Sequence, residues 1–194
     1  MDETLLSLKN ICVTFQTRRG IFKAVENLSL HLKEGEILGL VGESGAGKSI
    51  TGAAILGLIP SSGFLSSGQI YFKGQRIDTN PKIVRGSKIS MIFQDPLVSL
   101  NPLRRVGDQL VETIQTHSPC PREKAIVRAK RSLEEVGIDP SRVNAYPHTF
   151  SGGMRQRVVI ALALAPGPAV IIADEPTTSL DVSNQAQILD LLKD

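Results

Sequence analysis

The stretch Gly42-Glu43-Ser44-Gly45-Ala46-Gly47-Lys48-Ser49 decides how this chain is read. It fits the pattern G-x-x-x-x-G-K-[ST] at every fixed position. Glycines let the backbone curl around an anion and turn several N–H groups inward, where a Cβ would stand in the way. A helix opening at this point adds the positive end of its dipole. Lys48 can reach the β- and γ-phosphates as a point charge, and the Ser49 hydroxyl can ligate Mg2+. Ile50 continues the phosphate-binding stretch into that helix. A glycine-rich turn with an exposed lysine would look similar in isolation. The surroundings favour phosphate: the apolar run Glu36 to Val41 reads as a buried strand leading in, and helical spacing follows from Ser49 to about Leu58.

The complementary half of such a site lies far along the chain. Val170-Ile171-Ile172-Ala173 reads as a fully buried strand, and it ends in Asp174-Glu175. Ligands of open α/β sheets gather at the carboxyl ends of strands. Asp174 is therefore placed to hold Mg2+ through water, and Glu175 to orient or deprotonate an attacking water. A solvated acidic pair before Pro176 is the plainer reading. The phosphate loop in the same chain argues against it.

Around these two anchors the chain reads as a soluble domain. Of its 194 residues 41% are hydrophobic and 21% charged, which excludes disordered and low-complexity classes. Aromatics reach only 4%, with no Trp, too few for a stacking platform for single-stranded nucleic acid. The net charge of +3 is spread along the chain and suits an anionic ligand better than a nucleic-acid groove. Cys12 and Cys120 have no partner at metal or redox spacing and read as reduced thiols. The acidic Met1-Asp2-Glu3 precedes no apolar stretch, so no secretory signal is expected. Val158 to Ala173 is too short to cross a membrane and is broken by Pro166-Gly167-Pro168.

Leu8 to Phe15 and Ala24 to Leu32 alternate as two strands around an Arg18–Gly20 turn; Gln69 to Phe72 and Lys88 to Phe93 are further strands. Val106 to Thr116, Glu123 to Val136, Met154 to Ala165 and Gln185 to Leu192 carry helical spacing. The expected fold is α/β with a mostly parallel sheet, an N-terminal antiparallel β-subdomain and an inserted α-helical subdomain at about 95–165. The cations Arg122, Lys124, Arg128, Lys130 and Arg131 share one helix and read as its solvated face, not as a nucleic-acid surface. His117 and His148 read as loop or helix-end residues, and His31 as a strand residue facing solvent.

Phe150-Ser151-Gly152-Gly153-Met154-Arg155-Gln156 supplies a second glycine motif at a helix start. Ser151 is suited to cap the helix, and the glycines leave N–H groups open to an anion. One subunit needs one phosphate loop. A second anion-ready helix start makes sense if it closes on nucleotide held by another subunit. Together with Gln94 in Phe93-Gln94-Asp95-Pro96 and Pro176-Thr177-Thr178-Ser179-Leu180-Asp181, these pieces resemble the nucleotide-binding subunit of an ATP-binding-cassette (ABC) transporter. The resemblance runs from about Leu6 to the last residue. It implies a P-loop NTPase core in which two subunits sandwich two ATP molecules head to tail. It implies that Ser151 and Gly153, with Gly152 between them, contact the γ-phosphate bound to the partner's Lys48. Gln94 senses Mg2+ on this reading, Asp181 belongs to a loop coupling the two sites, and Phe15 stacks on adenine. As a plain strand residue Phe15 belongs to the sheet core.

Phe93 to Pro102, Tyr146-Pro147-His148-Thr149 and Asp181 to Leu192 are similar to the subfamily importing oligopeptides, dipeptides and nickel. The implied assembly is a homodimer, or a heterodimer with a second ABC ATPase, bound through the helical subdomain to transmembrane permease subunits. Leu103 to Val106 belong to that surface. The implied place is peripheral, on the cytoplasmic face of the inner membrane, with an extracytoplasmic solute-binding protein as an indirect partner. Phe150 and Met154 are mild departures from the family wording. A larger one is that the family carries a histidine beyond Asp181, and none follows here; His31, His117 and His148 all lie too early. The chain therefore reads as an ABC ATPase domain over 1–194, lacking its last strands, that binds Mg-ATP and hydrolyses it weakly. A non-catalytic nucleotide-dependent interaction module and a soluble ABC ATPase outside transport are the alternatives.

Overall fold

The computed structural model describes residues 4–18, 20–176 and 182–193, which fall into two compact units, 1–85 and 86–194.

In the first unit, β1 (Thr4–Thr17) pairs antiparallel with β2 (Gly20–Lys33) on one edge and with β3 (Gly63–Phe72) on the other. The short β4 (Gln75–Arg76) completes the order β2-β1-β3-β4. Leu6, Leu8, Ile11 and Val13 of the central strand are buried. Their spacing slips from strict alternation because register shifts interrupt both ladders between Leu8 and Val13. Asn10 and Asn27 take left-handed φ values of 50° there, and the Ser29 hydroxyl donates to Asn10 Oδ1 at 2.7 Å. Such bulges bend and twist the strands that carry them. A further shift separates the pairs Val13–Val25 and Thr14–Lys23, leaving Ala24 as the extra residue of β2.

Helix α1 (Lys48–Ile55) buries Thr51, Gly52, Ala54 and Ile55. The run before it departs from expectation. Residues 36–41 form no strand, and Ile37 and Val41 are 75% and 95% exposed. Apolar composition makes a run able to be buried, but a strand exists only where a neighbour completes its ladder. Among the described residues none pairs with this one.

In the second unit, β5 (Ile89–Ile92) and β6 (Val170–Ala173) pair in parallel, with Ile89 opposite Val170 and Ile92 opposite Ala173. The intervening chain makes α2 (Pro96–Ser99), α3 (Val106–His117), α4 (Arg122–Glu135) and α5 (Gly152–Leu164), and α6 (Val182–Lys193) follows β6. Val106, Leu110, Val111 and Ile114 of α3 and Ala125, Ala129 and Leu133 of α4 bury one stripe each. They share a core with Val158 to Ala161 of α5. β6 is less buried than its unbroken apolar sequence suggests. Val170 is covered, Ile171 and Ile172 are half-buried and Ala173 is exposed, because among the described residues the strand has a neighbour on one edge only. Among the described residues no helix is long and apolar enough to cross a membrane.

Candidate functional site

The phosphate loop of the first unit adopts the shape its glycines permit. Gly45 and Gly47 sit at φ 83° and 84°, a region that costs an L-residue about 1–2 kcal/mol. Gly47 also caps α1, and a Cβ there would stand 2.3 Å from the Ala24 carbonyl oxygen and 3.0 Å from a Val25 methyl. The β2 bulge at Ala24 is thus the seat of the loop, and only glycine fits against it. Lys48 Nζ donates to the carbonyls of Gly42 at 2.8 Å and Glu43 at 2.9 Å. That holds the ammonium across the loop, where an anion would find it. Glu43, Ser44, Gly45, Ala46 and Ser49 are exposed, and Ile50 is half-buried in the first turn of α1.

Val13, Phe15, Phe22 and Val25 occupy one face of the sheet, since directly paired residues point the same way. Phe15 is half-buried; its ring lies over Gly63, where a Cβ would be 2.6 Å from Phe15 Cε1 and 2.8 Å from an Ile59 methyl. Phe22, directly across from Phe15, is 57% exposed. Val25 on this same face touches the phosphate loop. The sequence pattern does not single out Phe22; the signal is a register that bulges conceal.

In the second unit the parallel register delivers Gln94 and Asp174-Glu175 to adjacent strand ends. The Asp174 N–H donates to the Ile92 carbonyl at 2.9 Å, extending the ladder by one bond. Gln94 Nε2 then donates to Glu175 Oε2 at 2.9 Å, joining residues 81 apart in sequence. Glu175 has φ 46°, a left-handed backbone rare for a non-glycine residue. Strain of this kind clusters at functional sites.

Ser151 caps α5 as expected, its hydroxyl accepting from the Met154 N–H at 3.3 Å. Gly152 has open space where a Cβ would project, so the helix end is uncovered at that point. Phe150 is 2% exposed, and the Arg142 guanidinium lies 4.2 Å from its ring centroid. Asp139 caps the 3-10 turn Pro140–Asn144 that carries Arg142, accepting from the Ser141 N–H at 2.8 Å. The Ser141 backbone and side-chain hydrogen bonds hold its carboxyl below the ordinary carboxylate range. Asp181 lies outside the described residues.

The ABC transporter family profile matches residues 25–178, a span that includes the phosphate loop, Gln94, Ser151 to Gly153, Asp174 and Glu175. The chain belongs to the ABC transporter family. Among ABC relatives, the oligopeptide transport ATP-binding protein OppD of Bacillus subtilis (strain 168) is 50% identical over 98% of this chain and 55% of its own length. The dipeptide transport ATP-binding protein DppD of Lactococcus lactis subsp. cremoris is 44% identical over 98% of this chain and 57% of its own. The glutathione import ATP-binding protein GsiA of Salmonella typhimurium is 46% identical over 97% and 32%. This chain therefore spans little more than half, or less, of the curated ABC proteins it matches. A dimeric structure of the ATP-binding cassette MJ0796, in a post-hydrolysis state bound to ADP and Pi, superposes with a TM-score of 0.84. It shares 30% identity over 96% of this chain and 81% of that one.

Proposed function

We propose that this chain is the ATP-binding and ATP-hydrolysing motor domain of an ABC importer, with peptides as the imported class. The observation that carries the reading is the loop Gly42–Ser49, with Lys48 held at two loop carbonyls on the N-terminus of α1. The printed functions of the relatives, oligopeptide, dipeptide and glutathione transport, support peptides ahead of nickel and transport ahead of the two alternatives.

In this reading Lys48 exchanges its two carbonyl acceptors for β- and γ-phosphate oxygens. Loop N–H groups and the α1 dipole take the remaining phosphate charge, while Phe15 carries the adenine. Ser49 and Asp174 offer hard oxygen donors, the type Mg2+ prefers. Bound there, Mg2+ would neutralise charge on the phosphates. Glu175 orients the attacking water and accepts its proton. The Gln94 amide fixes the direction of that carboxylate. A second copy, or a related ATPase, supplies Ser151 and Gly153 to the γ-phosphate, and Asp181 belongs to the loop joining the two sites. ATP binding then closes the dimer, and hydrolysis with product release reopens it. Permease subunits meet the helical subdomain at 95–165, with Leu103, 86% exposed, in the contact; Val106, expected on the same surface, is instead buried in the core and takes no part in it. This holds the protein peripherally on the cytoplasmic side of the membrane, with a solute-binding protein as indirect partner.

Calorimetric titration with Mg-ATP tests the binding step. Lys48→Ala should weaken binding at least about tenfold, the scale of a lost charge-assisted contact. Glu175→Gln should stay within about twofold while losing hydrolysis. Unchanged binding by Lys48→Ala would refute the assignment.

A further inference from the structure

The tetrapeptide Pro147–Phe150 leads directly into the capping Ser151, and two arginines grip it. Arg155 Nε donates to the Pro147 carbonyl at 2.9 Å, and its second nitrogen reaches the His148 carbonyl at 3.4 Å. Arg142 donates to the Thr149 carbonyl at 2.9 Å, lies over the Phe150 ring and sets its other nitrogen 3.3 Å from Met154 Sδ. Three consecutive carbonyls, the aromatic anchor and the first turn of α5 are thereby tied to two guanidinium groups. The Thr149 hydroxyl adds a bond to the Tyr146 carbonyl, and the Tyr146 and His148 rings stack at 5.7 Å.

Arg155 stands in the first turns of α5, where a cation opposes the helix dipole. Its position is therefore not explained by helix stability. A planar guanidinium carries its donors in a rigid fork, so bonding two neighbouring carbonyls also fixes its own plane against the turn, a constraint that the rotatable ammonium of lysine does not supply. We propose that Arg142 and Arg155 are positioning residues that hold Ser151 and the N–H groups of Gly152 and Gly153 in the geometry needed to receive a phosphate. The proposal rests on the shared-site reading only for its consequence in the dimer; the clamp belongs to the single chain.

Two readouts test it on the 194-residue chain. The first is amide hydrogen exchange in the nucleotide-free protein. Arg142→Lys with Arg155→Lys should speed exchange about tenfold at Thr149, Phe150 and Met154, whose N–H groups are bonded within the turn and its cap, from loss of the charge-assisted hydrogen bonds that hold that turn. The paired Ala substitutions should speed it further, and the amides of α3 and α4 should keep their protection. The second readout is light scattering with Mg-ATP. The Lys pair should bind nucleotide within about twofold of wild type yet dimerise at least about tenfold more weakly. Unchanged exchange at Thr149, Phe150 and Met154 would overturn the clamp. So would exchange that rises equally throughout α3 and α4, since that marks a general loss of stability. Local exchange that responds as expected, in a chain whose wild type never dimerises with ATP, would uphold the clamp and overturn the shared-site reading.

Discussion

Alanine at Gly47 and alanine at Gly45 should differ sharply, although both residues have nearly the same backbone angles. Each sits at φ close to +84°, so each substitution carries a conformational cost of about 1–2 kcal/mol. At Gly45 nothing lies within 4 Å of the added Cβ, and that cost stands alone. At Gly47 the Cβ would meet the Ala24 carbonyl oxygen at 2.3 Å and a Val25 methyl at 3.0 Å. Backbone cannot swing aside as a flexible side chain does, and overpacking of this kind adds about 1–3 kcal/mol. The totals are about 1–2 kcal/mol for Gly45→Ala and about 2–5 kcal/mol for Gly47→Ala. In a chain of this size each kcal/mol moves Tm by about 2–4 °C. Thermal melts followed by circular dichroism should therefore place Gly47→Ala several degrees below Gly45→Ala. Equal melting temperatures would refute the argument that the β2 bulge at Ala24 is the seat of the phosphate loop.

Two further outcomes follow from burial. Gln156 is fully buried in α5, and neither its Oε1 nor its Nε2 has a hydrogen-bond partner among the described residues. An unsatisfied buried amide costs about 1–3 kcal/mol, so Gln156→Leu should raise Tm in a thermal melt; a lower Tm would mean that the amide is bonded. Asp78 is pushed up by burial, but the Arg76 guanidinium and the Ile70 N–H outweigh this and hold it below its ordinary 3.8. A group depressed on folding stabilises fully above its unfolded pKa and loses that contribution as pH falls through the folded one. Asp78→Asn should therefore destabilise the chain at pH 7 and converge with wild type as pH falls through the lowered pKa of Asp78 in the folded chain. A pH-independent gap between the two denaturation curves would contradict the ion-pair account.

The parts legible in the sequence are those encoded locally. The phosphate loop, the Ser151 cap, the helix spans from Val106 to Leu164 and the acidic end of β6 all depend on residues a few positions apart. What the sequence concealed depends on distant pairing. Among the described residues the run 36–41 has strand composition but no ladder, and β6 has one neighbouring strand and is only partly covered where its apolar sequence suggested full burial. The bulges of β1 and β2 hide the register that sets Phe22 beside Phe15. The sequence singles out Gln94 and Glu175 separately as candidate site residues, but their 2.9 Å bond follows only from the parallel pairing of β5 with β6. Arg142 and Arg155 carry no motif of their own, and their bonds to the Pro147–Thr149 carbonyls exist only once the turn has formed.

The central claim is that each nucleotide is held by the phosphate loop of one copy and the Ser151 motif of another. Mixing two defective chains tests this most directly. Lys48→Ala removes the loop contact, and Ser151→Ala removes the capping hydroxyl. Neither should dimerise with Mg-ATP on its own. Mixed one to one, they should form ATP-dependent heterodimers detectable by sedimentation velocity, because one of the two composite sites then contains both intact halves. Dimerisation by Ser151→Ala alone at the wild-type ATP concentration, or no heterodimer on mixing, would contradict the account.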